Sequence, residues 1–134
     1  MNTTDSFTRG YMECALWASN NDNGENNPPP LDETHGVEDF APETIETVRA
    51  DCERFQRENT ADIEAALPSY EAIANGIDPR EHAGHDFWLT RNGHGAGFWD
   101  GDLPDALGDR LTQAAHGFGE CSLYIGDDNK IYCG

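Results

Sequence analysis

Eight Lys and Arg stand against 26 Asp and Glu, a formal charge of −18 on 134 residues, and that imbalance constrains the fold more than any other feature of the chain. Like charges at this density repel one another in any compact state. The aliphatic material that must hold against the repulsion is scarce: Leu, Ile, Val and Phe number 22, or 16%, a level at which many chains stay unfolded. Thirteen aromatic residues and several stretches of apolar periodicity argue instead for a small, charge-strained core in a single domain. The same field rules out duplex DNA or RNA as a direct ligand, because no basic stripe exists to override it. Anionic membrane surfaces fall by the same argument. No apolar run approaches the ~18 residues of a membrane span, and no charged-then-apolar leader opens the chain, so a cytoplasmic location is expected.

Cys14, Cys52, Cys121 and Cys133 lack the density and short spacing of a disulfide scaffold, and they read as reduced thiols.

Along the chain, Phe7, Tyr11, Cys14, Ala15 and Ala18 draw one stripe down a helix over 5–18, capped by Thr4 or Asp5. Residues 19–41 hold five Asn and the run Pro28-Pro29-Pro30 without periodicity, which predicts a mobile acidic loop. Pro42 suits the first turn of a second helix, in which Ile45, Val48, Cys52 and Phe55 fall within about 80° of one another while Glu43, Glu46, Asp51, Glu53 and Glu58 lie opposite. Thr60 can cap a continuation through Ile63, Ala66 and Leu67, with a break or kink expected at Pro68 and an end at Asn75-Gly76.

From His85 the pattern turns β-prone. Asp86 to Arg91 is aromatic, Asn92-Gly93 is the strongest two-residue hairpin signal, and Ala96 to Asp100 supplies a return strand. Leu103, Leu107, Leu111 and Ala114 then step down a helix from about Pro104 to Gly117. Cys121, Leu123 and Ile125 alternate with polar or aromatic residues. A turn ending in left-handed Asn129 brings the chain back through Ile131 and Cys133, pairing Ile125 with Ile131 and Leu123 with Cys133. Cys121 and Cys133 are diagonal in that register, a separation unsuited to a bridge. The expected fold is therefore α+β: a helical part over 1–77 with the mobile loop, followed over 78–134 by a ββαββ antiparallel sheet with one crossing helix.

The stretch Gly84-His85-Asp86-Phe87-Trp88-Leu89-Thr90-Arg91-Asn92-Gly93-His94-Gly95-Ala96-Gly97-Phe98-Trp99-Asp100, with the Leu-rich residues 103–111 and Leu123 to Asp128, resembles a group of small acidic proteins encoded by phages and mobile elements. The likeness covers about residues 11–17 and 84–132. It implies a phage-associated origin and carries no assigned activity. Phage genomes are rich in small proteins that block host defence or redirect host enzymes, and residues 19–59 lie outside the resembling part.

Between Arg9 and Arg49 lie nine carboxylates and no Lys or Arg. Carboxylates one helical turn apart stand about 5–6 Å from each other, of the same order as neighbouring phosphates. Duplex DNA carries one charge per about 1.7 Å of axis, so 18 net charges match roughly 30 Å of duplex. Such a surface can occupy a nucleic-acid groove on another protein. A solvated face kept for solubility or high salt, or a free acidic arm, would share the composition.

His82, His85 and His94 with Asp86 or Asp100 could suggest zinc, but the hairpin register sets His85 and His94 at opposite ends of the ladder and pairs His85 with Asp100 instead. No Ser or Cys sits in a nucleophilic or redox motif, and Pro104 and Leu111 occupy positions where a calcium loop needs oxygen ligands. No cofactor or metal is called for. The register also places Trp88 and Trp99 together on one face, either covered by helices or serving as anchors for a partner protein.

These readings converge on a non-enzymatic, phage-encoded acidic inhibitor of a host protein with a basic nucleic-acid-binding groove, in the anti-CRISPR, anti-restriction or DNA-repair-inhibitor class. The expected partner-binding residues are Glu38, Asp39, Glu43, Glu46, Glu53, Trp88 and Trp99. The alternatives are a small enzyme built on His85, Arg91, His94 and Asp100, or an acidic accessory protein that binds without inhibiting. Nothing in the sequence fixes an oligomeric state.

Overall fold

Asp5 opens the first helix by accepting the Thr8 N–H at 2.8 Å, which satisfies one of the donors a helix N-terminus leaves free. The structure, a computed structural model, describes residues 5–19, 31–73, 78–93, 97–99 and 103–133, with Ile73 by its backbone alone. Five helices follow in order: α1 Ser6–Ala18, α2 Pro42–Glu58, α3 Thr60–Ile73, α4 Pro79–Arg91 and α5 Asp105–His116. Two short strands, β1 Leu123–Ile125 and β2 Ile131–Cys133, close the chain.

The centre of the molecule is the crossing of α1 and α4. Gly10 and Gly84 make it possible: a Cβ at Gly10 would overlap the carbonyl oxygen of Glu81, and one at Gly84 would overlap that of Phe7. Glycine in a helix interior costs about 1 kcal/mol against alanine, so two of them at one crossing answer a packing need. Around the crossing lies an aromatic cluster in which Phe87 stacks on Phe55 at 4.1 Å and meets Phe7, Tyr11 and Phe118 within 5.9 Å. One hydrophobic cluster takes buried residues from all five helices and from Ile131.

The expected first hairpin is replaced by a helix. Residues 86–91 belong to α4, which begins at the N-cap Asp78, whose carboxylate accepts from the Arg80 N–H at 2.8 Å, with Pro79 in the first turn. Asn92-Gly93 ends this helix. The Asn92 N–H reaches the Trp88 carbonyl, and Gly93 takes φ +69°. Positive φ serves a helix C-terminus as well as a hairpin turn, so the dipeptide fits both, and burial chose. As a helix the segment buries Phe87 and Trp88 together with Ala83, Asp86, Thr90 and Arg91. Gly97 to Trp99 turn back onto α4, with the Phe98 N–H on the Thr90 hydroxyl at 3.0 Å. The rest of the expected return strand, like His94, Asp100 and the Asn75-Gly76 end, lies outside the described residues.

The layout is thus helical with one small sheet, and the ββαββ arrangement is reduced to its last hairpin. That hairpin has the expected register, Leu123 with Cys133 and Ile125 with Ile131, and Asn129 is left-handed at φ +65°. Cys121 lies two residues before Leu123, the partner of Cys133, and all four cysteines are free thiols. Helix α3 runs unbroken through Pro68. Both Pro68 and Glu64, the residue whose carbonyl loses its donor there, are exposed, so solvent can take the donor's place.

The described part of the expected mobile loop is folded. Leu31 is fully buried, its N–H bonded to the Ser19 carbonyl at 2.8 Å, and 3-10 turns at Leu31–Glu33 and Val37–Asp39 lead to buried Phe40. Among the described residues no helix is long and apolar enough to cross a membrane.

Candidate functional site

The start of α2 is fastened to the hairpin. The Ala41 N–H and the Thr44 hydroxyl both donate to the Ile131 carbonyl, at 3.0 and 2.9 Å, and Phe40 forms a parallel bridge with Ile131. These bonds bring two separately coded features together: Glu43 at the start of α2 and the outward tyrosines of the hairpin, which line one groove.

Of the expected partner-binding acids, Glu38, Glu43 and Glu46 are exposed. Asp39 is half-buried and accepts the Gly36 N–H at 2.8 Å, which makes it part of the turn before α2. Glu53 is exposed but forms an ion pair with Arg57 one turn on, so its charge is locally compensated. Beside Glu43, Tyr124 and Tyr132 stack with ring centroids 5.8 Å apart. Tyr124 is 53% exposed. The Tyr132 hydroxyl donates to Asp128 at 2.7 Å. That bond pushes the phenol up to about 12 and holds the Asp128 carboxyl below its ordinary range, each partner favouring the proton where it lies. Sequence reasoning did not single out these tyrosines, although the alternation that put Leu123, Ile125 and Ile131 inward required Tyr124 and Tyr132 to point outward.

The distribution of the cations decides the charge of this face. Arg9, Arg54, Arg57, Arg80, Arg91 and Arg110 pair with Glu81, Glu58, Glu53, Glu64, Asp51 and Asp62 respectively. Four of those six pairs join two helices. Among the described residues none of these six pairs with Glu38, Glu43, Glu46, Asp127 or Asp128, and the one cation in the hairpin turn, Lys130, lies close enough to Asp128 to help hold its carboxyl down.

The tryptophans separate. Trp88 is 2% exposed and belongs to the core, on the buried side of α4, so the covered reading holds for it and the anchor reading does not. It cannot anchor a partner without unpacking α4. Trp99 is 50% exposed and borders a groove with Leu103, Asp105 and Asp109. Trp17, which the sequence analysis passed over, is 66% exposed. It borders a groove of about 420 Å³ with Leu89, His85, Glu13 and Asp32.

Of the four residues considered for an enzyme, His85 and Arg91 are described, whereas His94 and Asp100 lie outside the described residues. Arg91 is buried, and its guanidinium is occupied by Asp51, Tyr11 and the carbonyls of Phe118 and Gly119. His85 is half-buried on α4, and burial, aided by nearby His82, lowers its pKa. Among the described residues no group of three or more His, Cys, Asp or Glu side chains is arranged to hold a metal ion. No family model matches the chain, and neither a curated protein nor a solved structure matches it.

Proposed function

We propose that this protein is a non-enzymatic, phage-encoded acidic inhibitor that occupies the basic nucleic-acid-binding groove of a host protein, in the class of CRISPR–Cas effectors, restriction enzymes and DNA-repair enzymes. The observation that carries the reading is the separation of charge. Six arginines are paired with carboxylates elsewhere, and among the described residues Glu38, Glu43 and Glu46 are exposed without an ion pair, Glu43 sharing a groove with the stacked Tyr124 and Tyr132 and Asp127 and Asp128 flanking those rings. Glu43 and Glu46 are three residues apart on a helix, hence about 5–6 Å, a phosphate-like interval. Two stacked rings between the acids offer guanidinium groups a surface to lie against, as nucleobases do. The phage origin rests on the resemblance of residues 11–17 and 84–132, and the host cytoplasm is where such a target would be met.

The test captures partners from host lysate on the immobilised protein and on its E38K/E43K/E46K variant, then challenges the complex with duplex DNA and, separately, RNA. The reading expects one protein held by the parent and not by the variant, released by nucleic acid, and inhibited in its nucleic-acid reaction when bound. Capture that survives both the charge reversal and excess nucleic acid overturns mimicry. Binding that nucleic acid reverses but that leaves the partner's reaction intact supports the non-inhibitory accessory role instead.

A further inference from the structure

Helices α1 and α4 each contribute one set of side chains to a groove that the acidic-face reading does not use. On α1, Glu13 and Trp17 are one turn apart and share a helix face, and on α4 the same spacing joins Glu81, His85 and Leu89. The Leu31 N–H, bonded to the Ser19 carbonyl at 2.8 Å, brings Asp32 to the end of α1. With Cys14, these side chains enclose the space of about 420 Å³ beside Trp17. It shares no lining residue with the groove at Glu43.

The groove combines an apolar wall with an excess of negative charge. Trp17 is 66% exposed, more than Trp99 or Tyr124, and an aromatic side chain left this far in water beside a groove marks a surface for contact. Leu89 and Cys14 add apolar wall. Burial pushes the Cys14 thiol up to about 12, so it stays neutral. Burial, aided by His82, lowers the His85 pKa and leaves that ring uncharged near pH 7. Arg9 pairs with Glu81, donating from Nε at 3.0 Å, and lies near enough to Glu13 to feel its charge. Among the described residues neither Glu13 nor Asp32 has an ion pair of its own. The groove therefore lacks a cation of its own for two carboxylates.

We propose that this groove docks a protein segment presenting an arginine close to an aliphatic residue, the guanidinium lying on the Trp17 ring within reach of Glu13 and Asp32 and the aliphatic side chain packing on Leu89. A guanidinium is planar and weakly hydrated, so it stacks on an indole while its edge still pairs with a carboxylate; an ammonium is a strongly hydrated point charge and does the first poorly. The exposure of Trp17 chooses a protein over a free small cation. A small-molecule site buries about 70–90% of its ligand, and a wall that is itself 66% exposed does not enclose one to that degree. A protein brings the missing wall with it and covers the rest of Trp17 as it docks. Tryptophan shielded from water in this way is a frequent centre of binding energy.

Selection of displayed random short peptides on the immobilised full chain, at physiological ionic strength and neutral pH, tests this. The expected result is enrichment of peptides with an arginine next or next-but-one to Leu, Ile or Val. For one such peptide made synthetically, Trp17→Ala and E13Q/D32N should each weaken binding about tenfold. E71Q/E120Q removes the same two charges from exposed positions elsewhere and should change binding by less than about twofold, because screening confines the field to about 8 Å. Trp17, Glu13 and Asp32 are exposed as well, and circular dichroism of each variant should match the parent. Exchanging the arginine of the peptide for lysine should cost about threefold. No enrichment over the bare support, enriched peptides without arginine, or binding indifferent to Trp17→Ala overturns the proposal. So does a loss in E71Q/E120Q as large as in E13Q/D32N, which would make the attraction one of net charge alone, or free ethylguanidinium bound as tightly as the peptide.

Discussion

Gly84 on α4 faces the carbonyl oxygen of Phe7 on α1 so closely that no side chain fits between the two backbones. Helix propensity alone would make Gly84→Ala stabilising by about 1 kcal/mol. The overlap reverses the sign, because the methyl can be admitted only by prising α1 from α4. We expect Gly84→Ala and Gly10→Ala each to lose about 2 kcal/mol or more in urea unfolding. Gly117, with φ −62° and only ordinary contacts for a Cβ, is the control: Gly117→Ala should be neutral within about 0.5 kcal/mol. A neutral Gly84→Ala would mean that the two helices are not in backbone contact.

The two tryptophans of the quoted motif should behave oppositely. Trp88 is buried among α4 neighbours, so Trp88→Ala should cost about 3–5 kcal/mol of stability. Trp99 is half exposed, and Trp99→Ala should cost less than about 1 kcal/mol. Intrinsic fluorescence quenching by acrylamide gives an independent check, with Trp99 and Trp17 quenched readily and Trp88 protected.

His85 should impose a pH dependence of definite sign. Its folded pKa lies below the ordinary 6.5, burial being the main cause. Above 6.5 both states are neutral and the group contributes no difference. As pH falls through 6.5 the unfolded chain takes up the proton first, so stability is lost over the interval down to the folded value. We expect His85→Gln to lose less stability than the parent between pH 7.5 and pH 5, as read from denaturation midpoints at each pH. Parallel curves for the two proteins would show that His85 titrates normally.

Salt should separate folding from binding. The net charge of −18 repels itself in the compact state, and of the four inter-helix ion pairs all but Arg91–Asp51 hold an exposed arginine, so each adds little. Raising NaCl from low concentration toward 1 M should therefore raise the Tm by several degrees. Over the same range, affinity for a basic partner should fall steeply as its counterions are no longer released. E38K/E43K/E46K should flatten the binding curve while keeping the Tm equal or higher, since it removes repulsion from solvated positions. Binding that is indifferent to salt would place the contact on Trp17 or Trp99 instead.

Several features were legible in the sequence because local chemistry determines them. The stripe from Phe7 to Ala18 gave α1, Pro42 and the Ile45–Phe55 spacing gave α2, and Leu103 to Ala114 gave α5. The alternation about Asn129 gave the register of β1 and β2 to the residue, since a one-residue slip would have turned every aliphatic outward. The acid-rich segment before Arg49 was likewise plain, and Glu38, Glu43 and Glu46 are exposed as their positions required.

The segment 86–91 was not decided locally. Aromatic residues and an Asn-Gly pair suit a strand and its turn, yet Asp78-Pro79, an N-cap followed by a first-turn proline, marked a helix start that the β signal overrode. What settles the matter is the fit between Gly10 and Gly84, 74 positions apart, which lets α4 bury Phe87 and Trp88 against α1 and α2. The same long-range packing buries Trp88 and docks the Glu43 turn on Ile131 next to Tyr124 and Tyr132. The sequence by itself determined the charge, the helices with clean stripes and the last hairpin, because each depends on neighbours within a few residues. Only the tertiary structure decided which carboxylates remain unpaired and which side chains meet, because burying aromatic area at one crossing outweighs the propensities of the segments that cross.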